Sequence, residues 1–133
     1  MQEHSCADQL FFCNSGAEAN EAAIKIARKF GGRGRHVVVS ALGSFHGRTL
    51  GALALTGQPA KHEIFQPMPD GFRYCEFGDI ASLEAQIDDT VSAVMLESIQ
   101  GEGGVIPAEA SYLQAVQSLC RERGVLLIID EVQ

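Results

Sequence analysis

The sequence predicts an α/β protein built on a doubly wound, mainly parallel sheet with helices on both faces. Three observations carry that prediction. Apolar, strand-like runs alternate with helical patterns along the chain. The best of these runs are continuously apolar, as strands buried on both faces are, rather than alternating. No repeat, low-complexity tract or linker interrupts the alternation, which is the order of helices crossing over a parallel sheet.

Taken in order, LFFCN (10–14) is a short apolar, strand-like run that leads into a helix over 16–30. In that helix Ala19, Ala22, Ala23, Ile26, Ala27 and Phe30 share one face, with Asn20, Glu21, Lys25 and Arg28 opposite. GGRG (31–34) stops it, and HVVVS (36–40) is a β-branched strand. A small-residue helix over 47–56 and a Pro- and Gly-containing loop follow, then a strand FRYCEF (72–77) and a short helix DIASLEAQI (79–87). SAVMLES (92–98) is a strongly apolar strand running into QGEGG. A helix near 109–123 has Tyr112, Leu113, Val116, Leu119 and Cys120 as its apolar positions; Gly124 ends it, and VLLIID (125–130) is the last strand.

The bulk numbers bound the function. A chain of 133 residues supports one domain, and 46% hydrophobic with 20% charged residues is a soluble, globular composition. Ten basic against 17 acidic residues, a formal charge of -7, argue against a nucleic-acid or anionic-membrane partner, which would need a basic patch. No apolar run approaches the roughly 18 residues of a membrane span, and MQEHSCADQ resembles no signal peptide. Cys6, Cys13, Cys75 and Cys120 lack metal-knuckle or CxxC spacing and read as reduced, buried thiols of a cytoplasmic protein. No metal site is expected.

Ligands of a doubly wound sheet sit beyond the carboxyl ends of its strands, which selects 14–18, 43–48, 97–104 and 130–133. In NSGAEANEAA, Ser15 and Glu18 suit a capping box, and Gly16 at a positive helix terminus suits a phosphate. In GSFHGRT, Phe45 fits either core packing or stacking on a planar ring. His46 fits an ordinary loop position, and Arg48 fits a surface ion pair or a substrate carboxylate. In LESIQGEGGV, Glu97 and Glu102 flank a loop that is either a tight turn or a close approach to a ligand. In LLIIDEVQ, Asp130 ends five apolar residues, so its carboxylate needs a cationic or hydrogen-bonding partner. A helix cap and the protonated nitrogen of a heterocyclic cofactor both satisfy that need.

Together, NSGAEANEAAIKIAR, SFHGRTLGALALTGQ, ESIQGEGGV and LLIIDEVQ resemble, in order and spacing, the class III (ornithine-type) aminotransferases. The resemblance covers nearly the whole chain. It implies the pyridoxal 5'-phosphate (PLP)-dependent transferase fold and a cofactor-binding large domain of which residues 1–133 are a part. It also implies transamination between N-acetylornithine, or a related ω-amino acid, and 2-oxoglutarate, by a cytoplasmic homodimer.

Residue by residue, the resemblance implies that Ser15, Gly16 and Ala17 bind the cofactor phosphate and that Phe45 stacks on the ring, with His46 beside it. Arg48 would hold a substrate carboxylate, Glu97 would be an acid behind the ring, and Glu102 would help alternate the two substrates. Asp130 would pair with the ring nitrogen, Val132 would pack on the ring face, and Gln133 would reach the phenolic oxygen. The chain departs from the family in having Ser98 where proline is usual, which adds an N–H and frees φ at that turn.

Transamination also needs a Schiff-base lysine. Lys25, Lys29 and Lys61 lie on no segment that matches the family's lysine motif. Both ends of the chain read as unfinished, so a piece of a larger enzyme is expected, without the small domain and the lysine segment. Two alternatives stand beside this reading. One is a catalytically inactive fragment that binds PLP or phosphate weakly or serves as an interaction piece. The other, within the fold, is an aminomutase, racemase or decarboxylase.

Overall fold

The computed structural model describes residues 7–133; Cys6 lies outside them. Four parallel strands form the sheet, in the order β2 (Phe72–Cys75), β1 (Val37–Ala41), β3 (Val91–Glu97), β6 (Leu126–Asp130). A two-residue antiparallel hairpin, β4 (Ile99–Gln100) with β5 (Ile106–Pro107), stands apart from it. Four helices flank the sheet: α1 (Gly16–Gly31), α2 (Leu50–Leu55), α3 (Ile80–Gln86) and α4 (Ala110–Arg123).

Side-chain alternation along the strands makes two cores. Val37, Val39 and Ala41 of β1, with Val94 and Leu96 of β3, pack against Leu83 of α3 and Tyr112, Val116, Leu119 and Cys120 of α4. Val38, Ala93 and Met95 point the other way, against Ile24 and Ala27 of α1 and against Leu55. The doubly wound arrangement is therefore observed, and full burial of β1 and β3 on both faces explains why both read as unbroken apolar runs. A register shift between Val37 and Val38 realigns β1 with β3, which puts Val91 and Val94 in the same core despite their odd spacing. Each such side chain, Leu55 for example, contributes about 1.5–3 kcal/mol on burial.

Most elements form where the sequence places them, with three differences. Residues 10–14 form no strand: Leu10, Phe11 and Phe12 are exposed, because no neighbouring strand in the described residues pairs with them. Cys13 on that segment is consequently exposed, whereas Cys75 and Cys120 are buried, and burial pushes both of their thiols up to about 11. Second, α1 is rotated from the expected face. It buries Asn20, Ile24 and Ala27 and leaves Ile26 and Phe30 exposed, because the Asn20 amide donates inward, to His46 O and Asp130 Oδ2. Third, α2 starts at Leu50 rather than 47, since residues 43–49 are committed to a loop.

The helices of one layer are tied by a carboxylate. No acidic residue stands in the first turn of α2, and its preceding Thr49 gives no side-chain cap. Glu21 of α1 fills that role from across the layer. Its Oε1 accepts from Thr49 Oγ1 at 2.5 Å, Gly51 N at 3.0 Å and Ala52 N at 3.1 Å. The negative charge also meets the positive end of the helix. No helix of the described residues is long and apolar enough to cross a membrane. Removing the tie in Glu21→Ala is expected to lower stability by about 1–2 kcal/mol, read as a lower urea midpoint at unchanged slope. Glu21→Gln is expected to fall in between, since it keeps one acceptor.

Candidate active site

Parallel strands deliver their carboxyl ends to one edge, and the N-terminus of α1 reaches the same edge. There a cleft of about 280 Å³ is lined by Gly16, Ala17 and Asn20 of α1 and by residues 45–48 of the loop after β1. Glu97 closes β3, and Asp130, Val132 and Gln133 complete the wall. Three of the four segments selected from the sequence thus converge. From the fourth, 97–104, only Glu97 lines the cleft.

At the α1 end, Ser15 is extended and its hydroxyl accepts from Glu18 N at 3.2 Å. Glu18 returns the bond one residue further back than a capping box would, to Asn14 N at 2.8 Å and Asn14 Nδ2 at 3.0 Å. The amides of Gly16 and Ala17 are left among those with no intrahelical acceptor, and both residues line the cleft. A Cβ on Gly16 would stand 2.8 Å from Val132 Cγ1, so the missing side chain is what lets the helix end and the β6 extension approach each other.

Asp130 stands at the other end of the cleft. Its Oδ2 accepts from His46 Nδ1 at 2.8 Å and from Asn20 Nδ2 at 2.8 Å, and its Oδ1 accepts from Val132 N at 3.1 Å. Burial pushes this carboxyl upward, but the bonds from His46, Val132 and Asn20 outweigh it, leaving the group below its ordinary value. Glu97 is its register partner on the next strand and goes the other way. Burial raises it, against the smaller pull of the His46 imidazole and a 3.3 Å bond from Phe45 N. His46 Nε2 is buried with no partner among the described residues, while the His46 backbone is fixed by a 2.9 Å bond from its N–H to Thr56 Oγ1.

Phe45 is half-buried at the rim, with the Arg48 guanidinium 5.6 Å and the Lys61 ammonium 5.0 Å from its ring centre. Lys61, which the sequence places in an ordinary polar loop, also pairs with Glu102, which accepts a further bond from Gln58. The bonds from Lys61 and Gln58 hold the Glu102 carboxyl below its ordinary value. Glu102 therefore belongs to the exposed rim and not to the cleft wall, and Ser15 acts on the wall only through the cap.

Sequence reasoning missed Asn20 and Gly47. Asn20 sits one turn after Gly16, so it projects on the same side as the helix terminus, yet its polarity assigned it to solvent. Gly47 has φ 130°, and a Cβ there would stand 2.8 Å from Ala17 Cβ and 3.0 Å from Ala52 Cβ. Only glycine lets this loop lie against α1.

The family model described as aminotransferase class-III matches residues 1–133, and the chain belongs to that family. It is 52% identical to the acetylornithine aminotransferase of Parasynechococcus marenigrum, over all of the chain and 34% of that protein. It is 54% identical to the acetylornithine aminotransferase of Listeria monocytogenes, over 93% of the chain and 32% of that protein. The chain spans about a third of the length of the curated relatives it matches.

Among solved structures, the ornithine aminotransferase of Toxoplasma gondii superposes with a TM-score of 0.81 at 36% identity, covering 88% of this chain and 30% of that one. An amine transaminase from an uncultivated Pseudomonas species, solved in a PLP-bound form, gives 0.79 at 27% identity, covering 90% and 33%.

Two outcomes follow from the site. Gly47→Ala is expected to force the loop off α1 and cost at least about 1 kcal/mol in denaturant unfolding, since both φ and space are wrong for a side chain. The lowered Asp130 carboxyl stabilises the fold fully above the ordinary Asp value, about 4, and that contribution is lost as pH falls through its lower folded value. The acid limb of stability against pH should be shallower in Asp130→Asn than in the parent, measured by urea unfolding from pH 6 down to about 2.

Proposed function

We propose that the chain is the cofactor-binding part of a PLP-dependent aminotransferase that works between N-acetylornithine, or a related ω-amino acid, and 2-oxoglutarate. The observation that carries this reading is the pairing of two complementary ends in one cleft. Partnerless amides at a helix terminus suit a phosphate, and a buried, ionised Asp130 suits a protonated ring nitrogen. The partnerless His46 Nε2 beside them is a further sign of a ligand.

The residues fit the cofactor. Gly16 and Ala17 would bind its phosphate, with Ser15 shaping the helix end. Phe45 and Val132 would cover the ring, Asp130 would hold a proton on the ring nitrogen, and Gln133 would reach the phenolic oxygen. When bound, PLP supplies an electron sink for bond breaking at the substrate's amino carbon. Arg48, exposed beside Phe45, would hold a substrate carboxylate. Glu97, whose carboxyl burial raises and which accepts from Phe45 N, would be an acid behind the ring. Glu102 would act at the rim, where it now holds Lys61.

No lysine among the described residues lines the cleft. We therefore place the lysine that moves the substrate proton outside these 133 residues, which by themselves would not turn over substrate. The high family identity to acetylornithine aminotransferases favours the N-acetylornithine assignment over the aminomutase, racemase and decarboxylase alternatives. Exposed Ile26 and Phe30 on α1 support a homodimer in which this helix is covered.

The test is turnover by the intact protein with N-acetylornithine and 2-oxoglutarate, followed by glutamate formation, with ornithine as the competing donor. Arg48→Ala is expected to raise KM for the carboxylate substrates roughly ten- to hundredfold, the worth of a charged hydrogen bond. An intact protein that binds PLP but transaminates neither donor would overturn the substrate assignment.

A further inference from the structure

We propose that Asn20 is a positioning residue for the cofactor-binding acid: its side-chain amide ties the Asp130 carboxylate to the His46 backbone and so sets which Asp130 oxygen faces the cleft. The proposal rests on the reading that Asp130 meets the ring nitrogen of PLP.

Asn20 is only 5% exposed, and a buried primary amide must satisfy both of its N–H groups. One bond runs from Nδ2 to His46 O at 2.7 Å and the other to Asp130 Oδ2 at 2.8 Å. Both partners are pure acceptors, so the chemistry alone requires the nitrogen side of the amide to face them.

Oδ2 of Asp130 already accepts from His46 Nδ1 at 2.8 Å, and Asn20 fills its second acceptor direction. Oδ1 has the Val132 amide and keeps one direction open, so it is the oxygen with capacity left for a ligand. The second dihedral of an aspartate is broad and nearly two-fold, and a single bond from His46 would let the carboxylate pivot. Two donors converging on Oδ2 from different elements prevent that pivot. Asn20 also holds the His46 carbonyl, so the same amide keeps the imidazole in line with the acid it serves.

The experiment uses the intact protein loaded with PLP labelled with ¹⁵N in the ring. Wild type, Asn20→Leu and Asn20→Ala are compared for cofactor Kd, for the ring-nitrogen chemical shift against pH, and for thermal unfolding of the cofactor-free form. Leucine keeps the volume and removes both donors; alanine serves the same comparison if the leucine variant does not fold.

In wild type the ring nitrogen should remain protonated through neutral pH. In the variants its acid constant should rise about tenfold, and Kd should rise roughly ten- to hundredfold. Variants that lose thermal stability yet keep the wild-type nitrogen shift and Kd would show a merely structural amide and overturn the proposal. If wild type itself does not retain PLP, or holds it with an unprotonated nitrogen, the cofactor reading fails first and this proposal with it. The two failures are distinguished by whether wild type or only the variants misbehave.

Discussion

The hydrogen bonds that meet Asp130 join parts of the chain far apart in sequence. A carboxylate at the end of an apolar strand is tolerated only where donors replace the water it has lost. Here the donors come from α1 and from the loop after β1, so satisfying one charge fixes a helix, a loop and a strand end relative to each other. The loop is held further by Thr56 and the helix by Glu21, whose carboxylate caps α2. The cleft is what remains between these anchored pieces.

The same edge shows how environment separates two like groups. Glu97 and Asp130 are paired residues on adjacent parallel strands, and both lose water. Asp130 gains three donors and is lowered, whereas Glu97 has only the backbone amides of Phe45 and Gly101 and is raised. Donors gathered around Asp130 hold its carboxyl down, while burial pushes Glu97 up, so environment sets the two paired acids apart. At the rim, the Phe45 face lies near two cations, and Glu102 neutralises one of them, leaving Arg48 as the freer charge.

Much of this was legible in the residues, for identifiable reasons. Continuous runs such as HVVVS and SAVMLES name strands buried on both sides, because no alternating pattern can serve such a strand. Gly124 in the left-handed conformation ends α4 where expected; Asp79, read as the first residue of a short helix, instead caps α3 through bonds from Ala81 N and Ser82 N. The rule that ligands lie beyond the strand ends then put Gly16, Phe45, Asp130 and Val132 on one edge before any contact was known.

The failures have a common cause. LFFC reads as a strand by composition, but a strand needs a neighbour, and none of the described residues supplies one. Helical periodicity put Asn20 among solvent-facing residues, since polarity is the only guide a single helix offers. Its true partners, His46 and Asp130, lie 26 and 110 residues away in the chain. Lys61 and Glu102 meet across 41 residues in the same way.

By itself, then, the sequence determined the sheet, its helices, the family and the edge at which chemistry is placed, because these follow from local pattern and motif. Only the tertiary structure decided which face α1 buries, which acid gathers the donors and which amide holds it, because each depends on groups that distant segments bring to one site.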